Sequence, residues 1–395
     1  MLCSSRRNPL DVEKLLHLSL DFLELSPSDL CSCALVAHSW VQPAQSRLFR
    51  SPRTTNPYFL LASSNVISLH ETLLCEPRLI PLVRELDIRY PYIAQHALDS
   101  ICRLGFTHVT TLALKIRDDL SSSAAETLRT LSTLPTLRSL SLETIESEKL
   151  AFPLCMPLFD RCSSTIEHLT LRCYRFAEDG LSNASYDTAR IQLRSLRLEI
   201  QRRPKLAHCS SLNPLTLAPF DLSYLKALSV EENSSAPWDC VSWPSIELLD
   251  FMPNFKRDTA LLKRFSSLHL SNLSFLRLQI RDSILPTLHI LKTIARSLEN
   301  GNAPNLRNIV IVLVDFTTLK SKTPAWVEFD SVLCAFPVGC PEIELEYRYH
   351  AHGLKRALTK ALLPNSISCG KVKVVRGSWQ RSKDDIWWRG MVQKL

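Results

Sequence analysis

Glycine is scarce in this chain of 395 residues: 8 are present, and no two lie within five positions of each other. A loop that cradles phosphate needs glycine where backbone N–H groups crowd an anion. Neither GxGxxG nor GxxxxGK occurs, and the Gly370-Lys371 pair has Asn365 where the loop's first glycine would stand. Neither a dinucleotide site nor a P-loop is expected. Long apolar runs are missing too. The purest, Ile309 to Val314, falls far short of the roughly twenty residues a spanning helix needs, so no membrane partner is expected. No Cys-x-x-Cys pair exists among the 13 cysteines, an odd number scattered from Cys3 to Cys369. That pattern fits free, buried thiols in a reducing compartment better than disulfides or structural zinc. Residues Met1 to Pro9 lack the apolar stretch and small-residue cleavage site of a secretory signal. The expected location is cytoplasmic, nuclear or both.

Charge is not concentrated either. Lys and Arg number 47 against 39 Asp and Glu, for a net charge of +8, but no basic block is longer than pairs such as Arg202-Arg203. With no aromatic cluster of the RNA-binding kind, nucleic acid is not an expected partner. Catalytic motifs are equally absent: there is no GxSxG and no HExxH. His350-x-His352 would place two imidazoles on one face of a strand, yet no third ligand stands near, and Glu346 is too far along the strand. Cys31-x-Cys33 reads as buried packing in a helix. The pairs Asp118-Asp119, Glu231-Glu232 and Asp384-Asp385 read as solvated carboxylates. No acid, base and pocket assemble, so the expectation is a chain that is not an enzyme, with no metal and no cofactor.

What the chain has instead is a recurring apolar pattern. Leucine-like residues alternate at Leu86-x-Ile88, Leu112-x-Leu114-x-Ile116, Leu140-x-Leu142, Leu169-x-Leu171 and Leu196-x-Leu198-x-Ile200. The pattern continues at Leu228-x-Val230, Leu276-x-Leu278-x-Ile280, Ile309-x-Ile311-x-Leu313 and Ile343-x-Leu345-x-Tyr347. A weaker run at Leu248-Leu249 and a last one over Lys371 to Val375 complete it. Period-two alternation predicts strands with one buried face, and their recurrence near every 28 residues predicts stacked units that cover one another. Between strands, Ala124 to Leu131 and Leu288 to Leu298 have helical spacing, the first ending before Leu134-Pro135 and the second before Gly301. A third helix is expected over Leu354 to Leu363, stopping at Pro364. Longer insertions or binding loops are expected at about 177–191, 201–222 and 231–244.

The segments Leu137-Arg138-Ser139-Leu140-Ser141-Leu142 and Leu193-Arg194-Ser195-Leu196-Arg197-Leu198 resemble leucine-rich repeats in their LxxLxL form. The resemblance covers roughly residues 80 to 376. The Asn or Cys that usually follows is mostly missing, although Cys173 sits near its place. The same alternation also suits an ordinary α/β domain. Between the buried leucines a ladder of exposed side chains is expected, including Arg89, Lys115, Glu143, Arg172, Arg197, Glu199 and Arg277, a mixed-charge face suited to holding a protein.

The first fifty residues read as three short helices: Val12 to Leu23, a second opening at Ser26-Pro27-Ser28-Asp29, and a third over Pro43 to Phe49. Ser26 is placed as N-cap with Pro27 at the first helical position. Helices this short bury little among themselves and need a further surface. The run Ser26 to Val36, with Ser39-Trp40 and Arg47-Leu48-Phe49, resembles an F-box, the adaptor-binding module of Skp-cullin-F-box ubiquitin ligases. Asp11-Val12 stands where that family has Leu-Pro. The resemblance implies that Val12, Leu15, Leu16, Leu20 and Leu30 face a Skp-type adaptor, with Leu35, Val36 and Trp40 shared between that contact and the module's core. F-box and degenerate leucine-rich repeats together are similar to the large F-box families of mushroom-forming fungi.

The expected architecture is an α/β solenoid: an F-box at 10–50, a helical linker or cap at 51–80, an irregular leucine-rich-repeat arc at 81–376, and a tail at 377–395. The tail, with Trp379, Trp387 and Trp388, is expected to seal the open end of the repeats or to bind a partner. The resemblance implies a substrate receptor, partnered by the adaptor, through it a cullin, and an unidentified protein target. A repeat scaffold with a decayed F-box and no ubiquitin role remains the alternative.

Overall fold

A computed structural model of the chain describes residues 13–23, 26–52, 62–90, 95–116, 122–144, 162, 164–173, 191–200, 220–231, 243–252, 270–280, 284–313, 324–336, 341–347, 362–376 and 381–395. The chain forms two compact units, residues 1–166 and 167–395.

The first unit opens with α1 (Glu13–Phe22), α2 (Pro27–Val36) and α3 (His38–Leu48). Then come α4 (Ala62–Cys75), a 3-10 turn (Pro77–Leu82), β1 (Glu85–Tyr90), α5 (Gln95–Cys102), β2 (Thr111–Ile116), α6 (Ser122–Ser132) and β3 (Ser139–Thr144). Pro27 opens α2 with its fixed backbone angle, while Ser26 occupies the cap position without a side-chain cap bond. The third helix starts at His38, earlier than Pro43, and carries that proline inside it. The three strands are parallel, which requires crossovers, and α5 and α6 supply them. Leu86, Leu112 and Leu140 lie side by side across the strands, as do Ile88, Leu114 and Leu142.

The second unit contains β4 (His168–Cys173), β5 (Ile191–Gln192), β6 (Ser195–Ile200), β7 (Phe220–Asp221), β8 (Ala227–Glu231), β9 (Leu248–Met252) and β10 (Phe275–Ile280). It continues with α7 (Leu285–Glu299), β11 (Asn308–Leu313), α8 (Pro324–Cys334), β12 (Glu342–Tyr347), α9 (Pro364–Ser368), β13 (Val372–Arg376) and α10 (Arg381–Val392). Strands β4, β6 and β8 to β13 pair in parallel and in chain order. The two-residue strands β5 and β7 pair separately. The class is therefore α/β with parallel strands, and every period-two run read from the sequence falls on a strand. Most of 354–363, with His350-x-His352, lies outside the described residues. So do most of the three expected insertions. Pro364 opens a helix at its first position.

The LxxLxL spacing is not confined to the two segments that show it with leucine throughout. Val83-x-x-Leu86-x-Ile88, Ile166-x-x-Leu169-x-Leu171, Ile246-x-x-Leu249-x-Phe251 and Leu306-x-x-Ile309-x-Ile311 all bury three apolar side chains in the same pattern. Each fully buried leucine contributes about 1.5–3 kcal/mol relative to exposure. The residue ahead of the strand turns inward at the entry and closes the core. It also fixes the frame of β9, where Leu249 and not Leu248 shares the face of Leu228 and Leu276.

Backbone groups at these entries are satisfied by one repeated device. The Thr110 carbonyl accepts the N–H groups of both Arg138 and Ser139, each at 2.9 Å, and the Glu247 carbonyl accepts Ser274 and Phe275 at 2.8 and 3.1 Å. The first such carbonyl belongs to Arg50, just after α3, and accepts Arg84 and Glu85 at 2.8 and 2.9 Å. Turn side chains add a second layer. Thr136 donates to Val109 O at 2.7 Å, Thr165 to Leu137 O at 2.7 Å, and Asn305 Nδ2 to Ser271 O at 2.8 Å. These Thr and Asn groups tie turn to turn in place of an Asn or Cys after the strand.

Helix α9 is too short to hold itself together, and a buried carboxylate from α8 caps it. Asp330 accepts the N–H of Asn365 at 3.0 Å and of Ser366 at 2.9 Å, two of the donors that a helix start leaves without partners. Asp330→Ala is expected to cost the second unit about 2 kcal/mol, because one buried and one part-buried N–H group lose their acceptor. Asp330→Asn, which keeps one acceptor oxygen, recovers part of it. Urea unfolding curves of the three proteins test this, and an Ala variant as stable as the parent would refute it.

Candidate interaction surfaces

Helices α1, α2 and α3 enclose a core of very few residues. Leu16, Leu20 and Leu30 are buried together, with Leu23, Cys33, Trp40 and Leu48 packed around them. Arg47 binds α3 to α1: its Nε donates to Asp21 Oδ1 at 2.9 Å and its Nη2 to the His17 carbonyl at 2.9 Å. The same guanidinium reaches the Pro43 carbonyl at 3.1 Å.

Helix α1 carries a second apolar stripe that this core does not use. Leu15, Leu18 and Phe22, at positions i, i+3 and i+7, point outward, and Phe22 is 88% exposed. On α2, Leu35 and Val36 are 88% and 70% exposed. The faces are thus arranged differently from the expectation. Leu16, Leu20 and Leu30, expected to meet a partner, turn inward and form the centre of the trio. Leu35 and Val36, expected to be partly core, point outward with Leu15, while Trp40 stays half-buried. Leu18 and Phe22 were not singled out, although their spacing is visible in the sequence. Val12 lies outside the described residues. Cys31 is exposed, while Cys33 is half-buried against the core of the trio.

The side chains between the buried leucines differ from an exposed ladder. In the first unit, Lys115 is half-buried and pairs with Asp87 at 3.2 Å, and Glu143 is half-buried. Arg89 lies opposite Lys115 across β1 and β2, with its side chain outside the described set. In the second unit Arg172, Arg197, Glu199 and Arg277 are buried. Glu199 receives Arg172 Nε at 2.8 Å and Nη2 at 3.2 Å, and Arg197 Nη2 lies 2.5 Å from its Oε1. Asp250 accepts Ser229 Oγ at 3.0 Å and Gln279 Nε2 at 3.0 Å, with Arg277 Nη1 at 3.6 Å. Arg277 Nη2 also lies 3.7 Å from Glu346.

Helix α10 covers part of this face, Arg277 included. Trp388 and Val392 are buried against Ala227 and Leu248, with Phe275, Trp387, Met391 and Leu395 packed beside them. Ala227, Leu248 and Phe275 form one lateral row across β8, β9 and β10, on the face opposite the leucine core. The Trp387 ring stacks over the Arg277 guanidinium at 4.3 Å and lies 5.6 Å from the Phe275 ring. The described part of the tail therefore packs on a sheet face near the middle of the unit, at β8, β9 and β10, and not on its last strand.

Two thiols have altered acidity. Burial, with Asp99 beside it, pushes Cys102 up to about 12. Burial, then Cys369 and Asp330, pushes Cys334 up to about 11. Both are protonated at neutral pH and do not act as thiolate nucleophiles. Among the described residues no three His, Cys, Asp or Glu side chains gather as a metal site, and no helix is long and apolar enough to cross a membrane. No protein-family model matches the chain, and no curated protein matches it.

Proposed function

We propose that this chain is the substrate receptor of a Skp-cullin-F-box ubiquitin ligase. In this reading α1 to α3 are an F-box that docks on a Skp-type adaptor and through it on a cullin. The strands are leucine-rich repeats of a solenoid that holds a target protein. Ubiquitin transfer takes place on other subunits, in the cytoplasm or nucleus, with no catalytic group from this chain. The observation that carries the reading is the pair of outward apolar patches on α1 and α2, beside a core built from three leucines. A helical trio that exposes Leu15, Leu18, Phe22, Leu35 and Val36 to water gains by covering them with another polypeptide.

Co-purification with a Skp-type adaptor tests this. Leu35→Asp with Val36→Asp is expected to lower adaptor recovery at least tenfold, since a charge pressed into an apolar contact without a partner costs several kcal/mol. Thermal unfolding of the isolated chain stays unchanged, because both side chains are already in water. Undiminished recovery would overturn the reading. Capture of a target by a chain that never retains the adaptor would make it a repeat scaffold with no ubiquitin role.

A further inference from the structure

The two faces of the second unit's sheet differ in a way that a permanent core does not require. The leucine face is apolar across β8 to β11. The opposite face carries Arg197, Glu199, Asp250 and Arg277, all buried, beside the apolar row of Ala227, Leu248 and Phe275. Charges covered for good cost desolvation that paired neighbours only partly return, and an apolar residue of similar size commonly does as well or better. Arginine, acidic side chains and aromatics beside a small apolar strip are instead the composition of a surface that recognises another polypeptide. Helix α10 meets it with one stripe, Trp387, Trp388, Met391 and Val392, at i, i+1, i+4 and i+5. The fit is incomplete at the helix end, where a cavity of about 120 Å³ remains between Val392, Gln393 and Leu395 and the side chains of His168, Arg194 and Lys226.

We infer that the face of β8, β9 and β10 is a docking surface for a helical segment bearing two adjacent aromatic side chains, and that α10 is its resident occupant, replaced by a partner's segment of the same pattern. The inference rests on the proposed function only in taking that partner to be the target. One ring of the segment stacks on Arg277 and the other sinks between Ala227 and Leu248. The following aliphatic pair covers the rest of the row. Arg277 suits this role because its planar guanidinium stacks on a ring while its edge stays within ion-pair distance of Asp250 and Glu346. Recognition is then competitive: the target meets a face already covered, and only a segment matching the tryptophan pair displaces α10.

The test uses the full chain and a fluorescein-labelled peptide of residues 381–395. In the Trp387→Ala, Trp388→Ala variant the amides of α10 are expected to exchange at least tenfold faster, while those of β8, β9 and β10 keep their protection. That variant binds the peptide saturably, and at least tenfold more tightly than the parent, whose own helix competes. Adding Arg277→Lys, which keeps the charge and removes the planar stack, weakens peptide binding at least fivefold. Loss of protection in β8 to β10 would overturn the inference, because α10 would then be a core element. Equal binding by parent and variant, or none by the variant, would overturn it too. No adaptor enters this assay, so its failure and a failed adaptor pull-down are separate results.

Discussion

Glu199→Ala is expected to lower the unfolding free energy of the second unit by about 3–5 kcal/mol, the cost of breaking a buried ion pair by removing one partner. Its carboxylate is shared by two guanidiniums, those of Arg172 and Arg197, and the three side chains are 10%, 7% and 3% exposed for Arg172, Arg197 and Glu199. Removal leaves two positive groups on neighbouring strands, repelling each other out of water. Glu199→Gln preserves the shape and an acceptor but not the charge, and is expected to fall between the two. The Lys115–Asp87 pair is the internal comparison. Its side chains are 23% and 39% exposed, solvent screens it, and Asp87→Ala should cost no more than about 1 kcal/mol. Urea unfolding followed by tryptophan fluorescence and far-ultraviolet dichroism measures both. If Glu199→Ala were as mild as Asp87→Ala, the buried cluster would not exist as described.

Leu20→Ala is expected to melt the three-helix trio while leaving the strands folded. Leu20 has no accessible surface, and removing such a side chain costs about 2–5 kcal/mol through lost transfer energy and the cavity left behind. In a large core that loss is spread among many neighbours. Here the core is Leu16, Leu20 and Leu30 with a rim of four partly buried residues, so no neighbour can collapse into the gap. Amide exchange should rise throughout α1 and α2, with β1 to β3 still protected. Leu35→Ala, on an exposed side chain, should change stability by no more than about 0.5 kcal/mol. Equal and small effects from the two would show that Leu20 is not at the centre of the trio.

The contrast between these leucines shows where sequence reading loses its hold. Strands were legible because alternation is local: Leu112, Leu114 and Ile116 face one way by the geometry of an extended chain alone. Helix α1 is apolar on two stripes, Leu16 and Leu20 on one and Leu15, Leu18 and Phe22 on the other, and periodicity cannot say which turns inward. That depends on where α2 and α3 cross it. The frame of β9 was ambiguous for a related reason. Leu248 and Leu249 are both buried, one beneath α10 and the other in the leucine core, so alternation is lost. The burial of Arg197, Glu199 and Arg277 was not visible at all. For Arg277 it involves Trp387 returning to a strand more than a hundred residues earlier, and no local pattern carries that information. The turn residues Thr136, Thr165 and Asn305 were readable in principle, each sitting three positions before its strand.

The carbonyl of Arg50 gives the helices of the first unit a mechanical identity. Because it grips Arg84 and Glu85 as each later carbonyl grips its successor, torque applied to α3 is delivered straight to β1. A body clasped by those helices would be carried like a tool in a handle, at a fixed bearing to the first strands, and its working distance would be a dimension of the molecule itself.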